Sequence, residues 1–153
     1  MKTYLLTIAM LCLCAVAFAD EASEVDQRQN DESTSTFTLV ITGMKSDKGN
    51  LRAIVARSER ELDLKDEPFK KLKLPIKNGK AKIVFKGIAR GEHAIKLFHD
   101  ANGNEEMDTN AIEIPKEAYG FSNNARGRMG PPKYSKVRFA IDKDPMKMEI
   151  KVK

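Results

Sequence analysis

Cysteine is almost missing from this chain of 153 residues: Cys12 and Cys14 are the only two, and both lie in a leading apolar stretch. The remainder therefore has neither a disulfide framework nor a thiolate metal centre. Beyond that stretch there is no long apolar run, which argues against stable membrane insertion. Catalytic motifs are just as scarce. Gly120-Phe121-Ser122-Asn123-Asn124 is not a G-x-S-x-G elbow, and no strand-turn-helix pattern surrounds it. No glycine-rich phosphate cradle occurs. Histidine is limited to His93 and His99. Six residues apart on one expected strand, they lie about 20 Å from each other at about 3.3 Å per residue and cannot share one metal. Core packing is the expected role of His93, and His99, beside Asp100, is the better functional candidate.

The leading stretch has the form of a secretory signal. Lys2 supplies a positive start, Tyr4 to Ala17 carries no charge, and Ala17-Phe18-Ala19 offers small residues where a signal peptidase cuts. Cleavage is expected after Ala19, delivering the chain to the periplasm or the exterior. Neither cysteine follows a small residue, as a lipid anchor would require (Leu11 precedes Cys12 and Leu13 precedes Cys14). Residues 20–35 hold six acidic side chains against Arg28 alone and almost nothing apolar, so a disordered spacer is expected. Residues 36–153 carry 25 Lys+Arg and 16 Asp+Glu, a net of +9. A basic surface module binding an anionic glycan is one function such a balance allows, although lysines are also the ordinary solvent face of two-sided strands.

The dominant period from Thr36 onward is two. Phe37, Leu39 and Ile41 alternate with threonines, Ile83 and Phe85 with lysines, and Met148 and Ile150 with Lys147, Glu149 and Lys151. Asp47-Lys48-Gly49-Asn50 is turn chemistry and predicts a hairpin between Thr36–Thr42 and Leu51–Arg57. Residues 59–69 predict a loop or one helical turn stopped by Pro68. Lys73–Ile76 reads as an edge strand because of Pro75, and Asn78-Gly79 as a tight turn. Strands follow at 81–86, 92–99, 137–141 and 146–152. About seven strands predict an all-β, two-sheet antiparallel sandwich of immunoglobulin-like or prealbumin-like form over residues 36–153. One long loop excursion spans 100–135. The expected core is Phe37, Leu39, Ile41, Leu51, Val55, Ile83, Phe85, Ile95, Leu97, Val137, Phe139, Ile141, Met148 and Ile150.

Chemistry concentrates in His99–Asn110. Oxygen-bearing side chains at Asp100, Asn102, Asn104 and Asp108 stand at positions 1, 3, 5 and 9 of a calcium loop, with Asn110 or Glu113 as a further donor. Position 6 is Glu105 where the EF-hand turn needs glycine, and position 12 is Ala111 where a bidentate glutamate belongs. A calcium loop of another type, and a plain Asx-stabilised turn, both remain open. Tyr119, Phe121 and Tyr134 flank the excursion, as sugar-stacking rings or as apolar pins.

These residues carry a resemblance. His99-Asp100-x-Asn102-Gly103-Asn104-x-x-x-Asp108-Thr109-Asn110 is followed by Pro115-x-Glu117-x-Tyr119-Gly120-Phe121-Ser122-Asn123-Asn124 and by Gly130-Pro131-Pro132. Phe85 to Phe98, with Gly91 between, forms the lead-in. Together they resemble the bacterial family known as domain of unknown function 2141, over about residues 37–153. Glu105 and Glu113 stand where glycine is expected. The resemblance implies a secreted or periplasmic, transthyretin-like sandwich with no established activity. It points to Asp100, Asn102, Asn104, Asp108 and Asn110, together with Tyr119–Asn124, as the special surface. The expected function is thus a non-enzymatic exported module that binds or supports an envelope or extracellular component through residues 100–124. Calcium is the one cofactor considered, and no nucleic acid is expected as partner. A hydrolase using Asp100, Asp108 or His99 is the competing class.

Overall fold

The computed structural model describes residues 33–153; the expected signal segment and most of the acidic spacer lie outside the described residues. Among the described residues, eight strands form two sheets. They are β1 (Thr34–Thr42), β2 (Asn50–Ala56), β3 (Lys70–Leu74), β4 (Lys80–Ala89), β5 (Gly91–Asp100), β6 (Tyr119–Phe121), β7 (Phe139–Ile141) and β8 (Met146–Lys151). One sheet has the order β4-β1-β8, the other β3-β2-β5-β6, with β7 also paired to β5. The all-β sandwich expected from the period-two pattern is what forms. Its pairing is antiparallel except between β1 and β8, which run parallel. The first strand starts at Thr34, two residues before the expected boundary.

Alternation explains the core. Along β1 every second side chain is buried, and Phe37, Leu39 and Ile41 are fully enclosed. They meet Leu51, Val55, Ile95, Leu97, Ile141 and Ile150 from the other strands. The Phe37 ring stacks on Phe85 at 5.9 Å and tilts against Phe139 at 5.6 Å. Burying side chains of this size contributes about 1.5–3 kcal/mol each. Ile83, Phe139 and Met148 were expected in this core but are only partly buried, packing at its margin.

The expected hairpin between β1 and β2 does not form, because the turn at 47–50 carries the chain from one sheet to the other. Their apolar faces then oppose each other across the sandwich, roughly 10 Å apart. The crossing is tight: a Cβ on Gly49, whose φ is +70°, would lie 1.9 Å from the Asp100 carbonyl oxygen. His99 Nε2 bonds the Lys48 carbonyl at 2.8 Å, so this buried histidine anchors the crossing. The Asn78-Gly79 turn is as expected, with φ of 53° and 66°, the left-handed pair a tight turn demands. It too leads from one sheet to the other. The Asp47 carboxylate accepts its two N–H groups, from Gly79 at 2.7 Å and Asn78 at 2.8 Å. Those bonds, Gly79's first, hold the Asp47 carboxyl below its ordinary range.

Two one-turn helices cover part of the outer face of the larger sheet. α1 (Glu59–Leu62) is capped by Ser58 Oγ, which accepts from Glu61 N at 3.2 Å. α2 (Tyr134–Val137) takes up Val137, which sequence periodicity had placed in a strand. Ala56, Leu62, Ala94 and Val137 form a small second core there, with Phe121 and Tyr134 packed on it. No helix among the described residues is long and apolar enough to cross a membrane.

Candidate functional site

The excursion leaves β5 at Asp100 and returns at Tyr119 as β6. Asp100 is fully buried at the strand end, opposite Asn50 of β2. A buried carboxylate is tolerated only when its charge and both oxygens are met, and here a cation and three donors meet them. Gly103 N donates to Oδ1 at 2.7 Å, and Glu105 N to Oδ2 at 3.2 Å. Arg52, from β2, donates Nε to Oδ2 at 3.2 Å. Its Nη2 pairs with Glu105, and that bond, with a contribution from Asp100, pushes the guanidinium pKa above its ordinary value. The loop is thereby tied to the sheet at its root.

Past that root, polar groups of the loop satisfy one another. Asp108 accepts from Asn102 Nδ2 at 2.8 Å and from Asn104 Nδ2 at 3.0 Å. Asn102 Oδ1 and Asn104 Oδ1 each accept the backbone N–H two residues on, at 3.1 Å. Glu117 spans the base, accepting from Ala101 N at 2.9 Å and Asp108 N at 3.2 Å. Asn110 closes the tip, with Oδ1 accepting from Ile112 N at 3.1 Å and Ile114 N at 2.9 Å. Of the five residues expected to hold calcium, Asn102, Asn104 and Asp108 converge. Asp100 faces Arg52, and Asn110 belongs to the separate tip turn. Among the described residues no three His, Cys, Asp or Glu side chains form a metal-holding group.

Glu105 and Glu113, the two places where glycine was expected, have φ of 71° and 60°. The backbone there is left-handed, the conformation for which glycine is cheapest. Glu105 recovers part of that cost through Arg52 and through Lys73, 3.8 Å away.

At its tip the arm carries Ile112 and Ile114, 73% and 53% exposed. Neither residue was singled out in sequence. They stand beside Pro115 and among acids with no sustained period, and only the Asn110 turn shows that they point to solvent.

The segment after β6 has a different task from the one expected. Ser122 is fully buried; its Oγ accepts from Ile95 N at 2.9 Å and donates to the Val137 carbonyl at 2.6 Å. Asn123 Nδ2 meets the carbonyls of Lys136, Val137 and Arg138 at the end of α2. Asn124 pairs with the free edge of β8, donating to Glu149 O at 3.1 Å and accepting from Lys151 N at 2.8 Å. Arg126 donates to Tyr119 O and Lys151 O, with its guanidinium 5.6 Å from the Tyr119 ring centre. Residues 119–126 are thus a clasp joining the two sheets and α2. The side chains of Ser122, Asn123 and Asn124 thereby bond within the fold.

Histidine chemistry is likewise structural. His93 is 1% exposed, bonds the Gly91 carbonyl through Nδ1 at 3.1 Å, and lies between Phe69 and Phe139. Its Nε2 has no partner in the protein, and burial pushes its pKa below the ordinary 6.5.

Together these features define an all-β, two-sheet sandwich with one long, internally braced arm and a clasp behind it. The chain belongs to the family described as "Uncharacterized protein conserved in bacteria (DUF2141)", whose model matches residues 39–149, from within β1 to within β8. No curated protein matches the chain.

Proposed function

We propose that this protein is an exported, non-enzymatic module of the bacterial cell envelope, docking to an envelope component through the arm at 101–118. The observation behind this reading is the pair Ile112 and Ile114, held out in solvent on an arm whose polar groups are spent on bracing it. Exposed apolar side chains on a preorganised support suit binding, since little entropy is lost when a partner covers them. The acid–base groups a hydrolase would use serve other ends here: Asp100 and Asp108 accept from the arm's own donors, and His99 bonds Lys48. The arm remains as the docking surface, and 119–124 drops out of it.

A photo-crosslinking residue placed at position 112 of the full chain, in a bacterial host, should label an envelope component, and one at position 71 should not. Equal labelling at both positions, or none at 112, would overturn the docking role. Export predicts that the protein recovered from the periplasm or medium begins at Asp20; a cytoplasmic protein retaining Met1 would contradict it.

Calcium enters as a brace for the arm. Asp108 with Asn102 and Asn104 offers one carboxylate and two amides, and binding requires both amides to turn their oxygens toward the ion. So few charged ligands suit a site of roughly millimolar affinity. At about 5 mM calcium, melting should rise by about 3–6 °C over the chelated protein, because the ion binds only the folded arm. An unchanged midpoint removes the metal from the reading and leaves the docking arm in place.

A further inference from the structure

The outer face of the three-stranded sheet carries nearly one sign of charge. Lys80, Lys82 and Lys86 project from β4, and Lys147 and Lys151 from β8; all five are exposed. The register aligns Lys80–Thr42–Lys151, Lys82–Val40–Glu149 and Val84–Thr38–Lys147 across the sheet. Two columns of lysines therefore stand about 10 Å apart, at roughly 4.8 Å per strand, with a low track of threonine and valine between them.

A lysine-rich sheet face is ordinary when acids are interspersed, and elsewhere in the molecule some of the cations do have acidic partners. Its ion pairs employ Arg52, Arg60, Lys65, Lys71, Lys73 and Arg138. Among the described residues, none of the five face lysines has a salt-bridge partner. The face holds a single carboxylate, Glu149, which accepts from Thr42 Oγ1 at 3.1 Å. Beside β8 the same charge continues into a cavity of about 380 Å³ lined by Asn124, Arg126, Glu149, Lys151 and Lys153.

We propose that this face binds a linear acidic polysaccharide, laid along β1 between the lysine columns, with one anionic group in the cavity beside β8. The width of the track suits one polymer chain. Lysines meet its anions, and threonine hydroxyls meet its hydroxyl groups. A single-stranded nucleic acid would call for aromatic stacking platforms, and this face has no aromatic side chain. A bilayer surface would call for large apolar anchors among the lysines, and only the valines Val40 and Val84 are there. The inference does not depend on the arm, which springs from the other sheet.

The test is binding of the full chain to polygalacturonate at low and at high salt. Binding at low salt that fades as salt rises is expected, because exposed charges are screened. Lys82→Glu with Lys147→Glu should weaken it at least about tenfold, since each change puts a like charge against the polymer. Lys133→Glu with Lys136→Glu, the same change in net charge near α2, should alter it less than about twofold. If the first pair fails to fold, Lys82→Gln with Lys147→Gln should still weaken binding about threefold. Absence of binding, equal weakening by both glutamate pairs, or tighter binding to phosphatidylglycerol vesicles than to polygalacturonate would each overturn the proposal.

Discussion

The sandwich and the arm are stabilised in opposite ways. Phe37, Leu39 and Ile41 are held by apolar burial, which is non-directional and shared among many neighbours. The arm's only fully buried anchor is Asp100, and the rest is built of directional bonds from Asn102, Asn104, Asp108, Asn110 and Glu117. A core of the first kind tolerates changes that conserve volume. A network of the second kind does not tolerate the loss of one acceptor, because each donor left behind is unsatisfied. The molecule thus couples a sturdy scaffold to an arm whose shape depends on a few named carboxylates and amides.

Five substitutions would break or sharpen this contrast. The largest effect should come from Leu39→Ala, at about 2–5 kcal/mol. It should lower the whole melting transition, with no selective change at residues 101–117. Asp100→Ala should cost about 3 kcal/mol, since it leaves Arg52 Nε and two backbone N–H groups without their acceptor. Limited proteolysis should then cut first between 101 and 117; uniform cutting along the chain would dissolve the distinction between arm and scaffold.

His93 gives a smaller, pH-dependent effect. Its folded pKa lies below the ordinary 6.5 because burial disfavours the charged ring. The unfolded chain therefore takes up a proton first, and stability present above pH 6.5 is lost as pH falls through 6.5 toward the folded value. His93→Phe should flatten that part of the pH–melting profile and change little at neutral pH. An unaltered slope would mean that another group is responsible.

The smallest effect is a gain. Glu113→Gly relieves a left-handed backbone and should stabilise by about 0.5–1 kcal/mol once the added freedom of the unfolded chain is subtracted. Glu105→Gly relieves a similar strain but gives up the Arg52 pair, so chemical denaturation should show it gaining less. Equal gains would mean that the Arg52–Glu105 pair contributes nothing.

Much of the scaffold was legible in the residue pattern. The alternation at 37–41 and at 148–150 identified the inward faces, and Asn78-Gly79 identified a turn. The three-residue β6 was missed because Tyr119-Gly120-Phe121 is too short to show a period. Val137 was misassigned because it shares an apolar spacing with Phe139 and Ile141 while lying in a helical turn. At the arm, residue types showed where polar side chains gather, but not what each residue faces. Asp100 reads as a ligand in sequence, and its counter-charge is Arg52, 48 residues away. Asn123 and Asn124 read as surface polar groups, yet they complete the end of α2 and the edge of β8.

What the sequence determined by itself is which side of each strand is buried, since the side-chain period of two is a local property of extended backbone. Which strands lie side by side was settled only by the tertiary structure. Both edges of β1 offer the same backbone donors and acceptors, and nothing local says that β4 and a parallel β8 will take them in place of β2. The choice follows from closing one core across two sheets. That closure also buries Asp100 beside Arg52 and leaves the lysines of β4 and β8 together on one open face.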